Sequence, residues 1–170
     1  MRALFIGRFQ PFHNGHANVL RWLFNNADKV IIGIGSANAS LTFRNPFTVG
    51  ERIDMIEAAI GSVTTCSIPD TGGQSLLWYP LVRQYCPSFD EVYSNDEYTR
   101  LSMEQWGISV KPTPLFERDK LSGSRIRYMI ARNDSTWAEL VPSGVVRVMD
   151  RIHGVERLMR LARIENILNQ

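Results

Sequence analysis

The sequence predicts an α/β fold: a mostly parallel five-stranded sheet flanked by helices, followed by a C-terminal helical extension. Three observations lead there. Short apolar runs recur along the chain, as in Ala3-Leu4-Phe5-Ile6 and the β-branched Val30-Ile31-Ile32, and the latter suits a strand buried on both faces. Segments with apolar residues at helical spacing separate them, and strand, helix, strand in that order is the unit of a parallel sheet. The chain has 170 residues, 44% of them hydrophobic, which is enough for one core. We therefore expect a single domain over 1–170, with its core within about 1–132 and helices at about 136–168.

Residues 2–6 read as the first strand (Ala3-Leu4-Phe5-Ile6) and 14–26 as the first helix, with Ala17, Val19, Leu20, Leu23 and Phe24 apolar. Asp28 to Gly35 is the second strand. Thr48 with Glu51 three residues later forms a capping box, so a helix starts at Val49 and turns Ile53, Met55, Ile56, Ala59 and Ile60 inward. Val63 to Pro69 is the third strand, and Ser75 opens a helix after Gly72-Gly73. Phe89 to Ser94, past the Pro87 break, is the fourth. Asn95-Asp96-Glu97 leads into a helix ending near Trp106, its acids suited to the first turn. Ile108 to Lys111 is a short fifth strand, ended by Pro112 and Pro114. Ser122 or Ser124 caps a helix reaching Arg132, with Ile126, Met129 and Ile130 inward. Helices at about 143–152 and 155–168 follow, joined by His153-Gly154.

Composition narrows the function classes. A formal net charge of +2 gives no global case for a nucleic-acid partner. From Pro142 onward five Arg (147, 151, 157, 160, 163) face three acids (Asp150, Glu156, Glu165), and 5 − 3 = +2 equals the whole net charge. Cys66 and Cys86 lack a C-x-x-C pattern, so a reducing interior without disulfides is expected. The N-terminus reads as a strand and no apolar run approaches ~18 residues, so neither a signal peptide nor a membrane span is expected. The expected location is cytoplasmic.

The chemistry gathers in loops after the strands, where α/β sheets bind ligands. Gly7-Arg8-Phe9-Gln10-Pro11-Phe12-His13-Asn14-Gly15-His16 is a strand-to-helix turn. Gly7 lets backbone approach a ligand closely, and the helix start offers unpaired N–H groups and a positive dipole end to an anion. His13 and His16 share a helix face. Neutral imidazoles there donate to phosphoryl oxygens, and imidazolium adds charge where negative charge builds. The alternative, half of a zinc site, lacks further ligands, since the only other His is His153 and no Cys is near.

Arg44, in the loop before the capped helix, is pre-positioned by Pro46 and suits bidentate pairing with phosphate. Trp78, after a Gly-rich loop, offers a face for a flat ring, or else belongs to the core. In Arg118-Asp119-Lys120-Leu121-Ser122-Gly123-Ser124-Arg125-Ile126-Arg127, the cations of the first helical turn oppose the dipole unless an anion sits opposite. A solvated basic face is the alternative. Gly33-x-Gly35 is a weak dinucleotide fingerprint, lacking the third Gly and a following helix. The helix, glycine turn, basic helix at the C-terminal end has the outline of a DNA-reading motif, but arginines at helical spacing equally suit a solvated or subunit-facing helix.

The first stretch resembles the G-x-F-x-P-x-H-x-G-H signature of the nucleotidyltransferase superfamily, in the form found in archaeal-type nicotinamide mononucleotide (NMN) adenylyltransferases. Arg44 to Arg52 resembles their N-P-F-T-x-G-E-R segment. Ser122 to Arg127 resembles their S-G-[ST]-x-[IV]-R form of the second superfamily signature, with Leu121 for the usual Ile and Ser124 for Thr. The resemblance runs from Met1 through Arg157 and implies a Rossmann-like fold. It implies that the phosphate of NMN attacks the α-phosphorus of ATP directly, giving NAD and pyrophosphate. No obvious covalent nucleophile and no G-x-x-x-x-G-K-[ST] loop is present to suggest another route. Mg2+ would bridge phosphate oxygens, with no protein metal ligand.

The resemblance further implies catalytic roles for His13, His16, Arg8 and Arg127. It implies ATP contacts from Gly7, Phe9, Gln10, Gly15, Ser122, Ser124 and Arg125, and NMN contacts from Arg44, Trp78, Ser75 and Gln74. Ser75 stands where the family usually has Asn to read the carboxamide. The partners implied are ATP and NMN, no nucleic acid and no membrane, with a homo-oligomer, often a hexamer. Within the superfamily the alternative acceptors are phosphopantetheine and flavin mononucleotide, against which the Arg44 segment and Trp78 weigh. Outside enzymes, the alternative is a nucleotide sensor that binds DNA through its C-terminal helices.

Overall fold

The computed structural model describes residues 1–117 and 119–169, so Arg118 of the third cluster lies outside the described residues. The elements are β1 (Arg2–Gly7), α1 (Asn14–Asn26), β2 (Lys29–Ile34), α2 (Val49–Ile60), β3 (Thr64–Ser67) and α3 (Trp78–Tyr85). They continue with β4 (Glu91–Tyr93), α4 (Glu97–Glu104), β5 (Val110–Lys111), α5 (Gly123–Ala131), α6 (Ser143–Arg151) and α7 (Gly154–Ile164). Each predicted strand and helix forms. The differences lie at the ends: β1 runs one residue further, to Gly7, the other strands are shorter, a 3-10 turn at Ser75–Leu77 precedes α3, and α7 stops at Ile164 before a 3-10 turn at Ile167–Asn169.

The chain divides into two compact units. Met1–Arg8, Val19–Asn38 and Val63–Pro114 form the first; Phe9–Asn18, Ala39–Ser62 and the stretch from Leu115 onward form the second. The first unit holds the five-stranded sheet, order β3-β2-β1-β4-β5, and every strand pair is parallel. The order reverses at β1, the switch point where such sheets bind ligands. Leu4 pairs with Ile31 on one side and Val92 on the other, and the apolar runs are buried on both faces, with Leu4, Ile31 and Ile32 fully enclosed. A Cβ on Gly33 would come within 3.1 Å of the Ile6 and Ile68 side chains, so this glycine serves close packing.

One expectation is overturned in this unit. Cys66 of β3 and Cys86 at the end of α3 form a disulfide, with Cα atoms 5.1 Å apart. They are 20 residues apart in the chain, but the β3-to-α3 connection brings both into the core that holds Leu4, Ile31 and Val82. Spacing alone carries no sign of that return.

In the second unit α2 packs on α6, and α7 packs on α5 and α6. The capping box of α2 is complete, Thr48 accepting from the Glu51 N–H while Glu51 accepts from the Thr48 N–H. Ser122, not Ser124, caps α5 by accepting from the Arg125 N–H at 3.1 Å. His153, at φ 52°, turns the chain from α6 into α7. The arginines of these helices do not all face water: Arg157 bonds Glu51 of α2 at 2.6 Å, while the exposed Arg151 pairs with Asp54. Gly144 of α6 sits so close to α2 that a Cβ there would lie 2.2 Å from the Ala58 carbonyl oxygen. Gly144→Ala should therefore cost about 1–3 kcal/mol by overpacking, read as a lower urea midpoint at unchanged slope.

Candidate active site

The loop after β1 carries its strain at Phe9, whose φ is 55°, and its Gln10–Pro11 peptide is cis. A bulky residue in the left-handed region costs on the order of 1–2 kcal/mol and persists only where its surroundings dictate it. Here they do. Phe9 and Phe12 are buried, their ring centroids 5.9 Å apart, and each ring also meets His16, at 4.7 and 5.4 Å. Phe9 thus floors the imidazole pair with its side chain.

His13 and His16 stack with centroids 3.6 Å apart and planes 21° from parallel. Backbone donors decide their tautomers. The Gly15 N–H donates to His13 Nδ1 at 3.1 Å, and the His13 N–H donates to His16 Nδ1 at 3.2 Å. A nitrogen that accepts carries no proton, so each neutral ring bears its hydrogen on Nε2. Burial lowers the pKa of His13 to about 4. Burial and the adjacent His13 ring push His16 well below the usual histidine range. The free protein near pH 7 therefore presents two neutral Nε2–H donors, not imidazolium. Gly15 makes room for them: a Cβ there would sit 2.9 Å from His13 Cε1 and 3.3 Å from Leu121 Cβ.

Gln10 gathers the three motifs. Its carboxamide oxygen accepts the Phe47 N–H at 3.0 Å and its nitrogen donates to the Phe47 carbonyl at 3.1 Å. Its own backbone carbonyl accepts from Arg127 Nη1 at 2.9 Å. A Cβ on Gly123 would approach that carbonyl to 3.1 Å, so glycine is what lets α5 start there. Gln10, expected as an ATP contact, has its side chain buried and bonded to backbone, where it fastens loops. A motif gives the residue type but not whether its amide faces a ligand or a neighbouring loop. Arg127 is buried at the start of α5 with its guanidinium 5.9 Å from the Phe43 ring, while Ser124 and Arg125 are exposed and Arg125 Nη1 donates to the Asp119 carbonyl. Asn14 anchors the start of α1 by donating to the Glu139 carbonyl at 3.1 Å.

This unit therefore brings together Phe9, Gln10, His13, Gly15, His16, Ser122 and Arg127, with the exposed Arg44 three residues before Phe47. Sequence reasoning passed over Phe47 and Asn14, though both stand inside quoted motifs; an apolar residue in a loop and an amide at a helix start were the available signals.

The first unit holds the other candidates. Gly7 accepts the Gly35 N–H at 2.9 Å, and a Cβ on Gly35 would lie 3.9 Å from Trp78 Cζ2 and 4.0 Å from Arg8 Cγ. The half-buried indole and the Arg8 stem thus flank the carboxyl ends of β1 and β2. Gln74 and Ser75 are exposed in the turn before α3, which is tied down through its backbone: Ser102 Oγ donates to Ser75 O and Trp106 Nε1 to Leu76 O, both at 2.7 Å. Beside it, Ser36 Oγ donates to the Asp70 carboxylate.

A parallel sheet reversing at β1, with paired imidazoles in the loop that leaves that strand, suits a protein that binds nucleotide phosphates, and the similarities of the chain make that class the nucleotidyltransferases. Residues 4–129 match the cytidylyltransferase-like family. The nicotinamide-nucleotide adenylyltransferase of Haloarcula marismortui is 39% identical over 170 residues, spanning 98% of this chain and 90% of its own. That of Thermococcus sibiricus is 41% identical over 169 residues, spanning 95% and 90%. A bifunctional NMN adenylyltransferase/ADP ribose pyrophosphatase from Francisella tularensis, solved with AMP and a manganese ion, superposes with a TM-score of 0.71 at 21% identity. It shares the fold; the match covers 98% of this chain but only 53% of that longer one. The chain belongs to the cytidylyltransferase-like family and, within it, to the nicotinamide-nucleotide adenylyltransferases.

The buried neutral His13 has a consequence for stability. In the unfolded chain its ring titrates near 6.5, so between there and about pH 4 only the unfolded state takes up the proton. Its contribution is complete above 6.5 and lost as pH falls through that window, about 3 kcal/mol in all. Urea unfolding should show a loss of at least about 2 kcal/mol between pH 6.5 and 5, the His13 share, to which the neutral His16 adds, over a range above most carboxylate titration, with a smaller loss in His13→Asn. An unchanged stability over that range would contradict a neutral, buried His13.

Proposed function

We propose that the protein joins ATP and NMN into NAD and pyrophosphate by direct in-line transfer, as a step of NAD biosynthesis. The observation that carries this reading is the pair of stacked imidazoles with both Nε2–H groups preset by backbone bonds, in a chain of this family. An oxygen of the NMN phosphate attacks the α-phosphorus of ATP, and the bond from that phosphorus to the oxygen leading to the β-phosphate breaks. The nucleophile arrives ionised, so no general base is required, and positioning and charge stabilisation carry the catalysis.

In this reading His16 and His13 donate through Nε2 to the phosphoryl oxygens on which charge grows. Neutral donors bind those oxygens without a counter-charge that the buried loop would have to solvate, and an arriving anion raises their basicity. From the same unit, Arg127 and Arg125 with the hydroxyls of Ser122 and Ser124 hold the β- and γ-phosphates, and Arg44 takes the phosphate of NMN. From the first unit, Arg8 contributes to the triphosphate, Trp78 stacks on the nicotinamide ring, and Ser75 and Gln74 read its carboxamide.

Among the described residues no group of three or more His, Cys, Asp or Glu comes together to hold a metal. Imidazoles and guanidiniums do not suit a hard cation, so a divalent cation such as Mg2+ would come as part of the triphosphate substrate and would neutralise phosphate charge there. The bifunctional protein of Francisella tularensis, solved with AMP and a manganese ion, is consistent with the use of a divalent metal. Among the described residues no helix is long and apolar enough to cross a membrane, and we place the reaction in the cytoplasm, with its substrates.

Pyrophosphate release from ATP, Mg2+ and NMN tests the reading. His16→Ala should lower kcat by ~10²-fold or more with little change in unfolding, as loss of a transition-state donor does. Unaltered kcat would remove His16 from the mechanism. Trp78→Ala should raise KM for NMN and leave KM for ATP in place; equal rises would make Trp78 a core residue.

A further inference from the structure

Arg44 is exposed, and the 39–48 loop that carries it has no helix or strand of its own. Two residues of the C-terminal extension hold that loop, one on each side of Arg44. Before it, the Phe43 N–H donates to Glu165 Oε2 at 2.7 Å. After it, Arg157 Nη1 donates to the Pro46 carbonyl at 3.2 Å. Arg157 is itself fixed by two parallel bonds to Glu51, Nη1 to Oε2 at 2.6 Å and Nη2 to Oε1 at 2.8 Å. Glu51 also takes the Thr48 N–H.

The pair is partly shielded, with side chains 23% and 18% exposed. Burial alone would push the Glu51 carboxyl up, but its bonds from Arg157 and Thr48 outweigh that and hold it below the ordinary range. Within the loop, Thr42 and Asn45 close the turn through Asn45 N–H to Thr42 Oγ1 at 3.0 Å. The Arg44 backbone is thereby held from both ends. A staple between α7 and α2 would need only the contact with Glu51; the bonds to Pro46 and Phe43 go to the loop itself.

We propose that Arg157 and Glu165 are positioning residues for the mononucleotide: they clamp the loop on both sides of Arg44 and aim its guanidinium at the NMN phosphate. The inference rests on Arg44 contacting NMN. A guanidinium whose backbone shifts loses bidentate geometry toward phosphate, so binding of one substrate should suffer alone.

The test is the steady-state KM for each substrate in Arg157→Met, Glu165→Ala, Arg44→Ala and the two doubles that combine Arg44→Ala with either clamp variant. Each clamp variant should raise KM for NMN about tenfold while KM for ATP stays within about twofold, and should add nothing in the Arg44→Ala background. A general loss of structure would move both KM values, and independent effects would multiply in the doubles; either result overturns the clamp while leaving Arg44 as a contact. An unchanged KM for NMN in Arg44→Ala itself overturns both the contact and the clamp built on it. Should Arg157→Met fail to fold, Glu165→Ala, at an exposed carboxylate, decides alone.

Discussion

Both groups of the Gln10 carboxamide are bonded to the backbone of Phe47, and the Gln10 carbonyl is bonded to Arg127. Three segments far apart in the chain, the imidazole loop, the loop before α2 and the start of α5, are joined at this one buried residue. An amide that donates to and accepts from the backbone of a single residue imitates a strand partner, and in a buried setting each bond forgone would leave a polar group unsatisfied. The left-handed Phe9 is tolerable only because the chain on its far side is fastened in this way. Glycines stand where fastening demands contact: Gly15 beneath His13 and Gly123 against the Gln10 carbonyl.

On that frame the electrostatics take an economical form. Phosphate could be met with charge alone, and Arg127, Arg125 and Arg44 offer it. The imidazoles do something else. Their Nδ1 atoms accept from backbone N–H groups and their charge is suppressed by burial, so each ring carries its hydrogen on Nε2. In the reaction we propose, preset neutral donors would need no reorganisation as charge moves onto the phosphoryl oxygens, which is the condition under which such donors contribute most.

The fold was legible because its signals are local. Continuous apolar runs and the Thr48–Glu51 capping box are decided within a few residues, and the structure has them where the sequence puts them. The motif residues were legible by type. What escaped were choices made between distant segments. Ser122 rather than Ser124 caps α5; the helix begins one residue after Ser122, a matter of where the chain arrives from. Cys66 and Cys86 meet because a crossover returns, not because of their spacing. Gln10 faces Phe47, 37 residues away, and Arg157 faces Glu51, 106 residues away, so the sequence shows neither the fastening role of the first nor the half-buried ion pair of the second.

The account depends most on the protonation of the two imidazoles, and nitrogen-detected NMR of the histidine rings in the free protein at pH 7 tests it directly. With only three histidines in the chain, the signals of His13 and His16 separate readily from that of the exposed His153. The account predicts both as neutral rings with hydrogen on Nε2 and none on Nδ1. A ring of either residue found as imidazolium, or with its hydrogen on Nδ1, would contradict it.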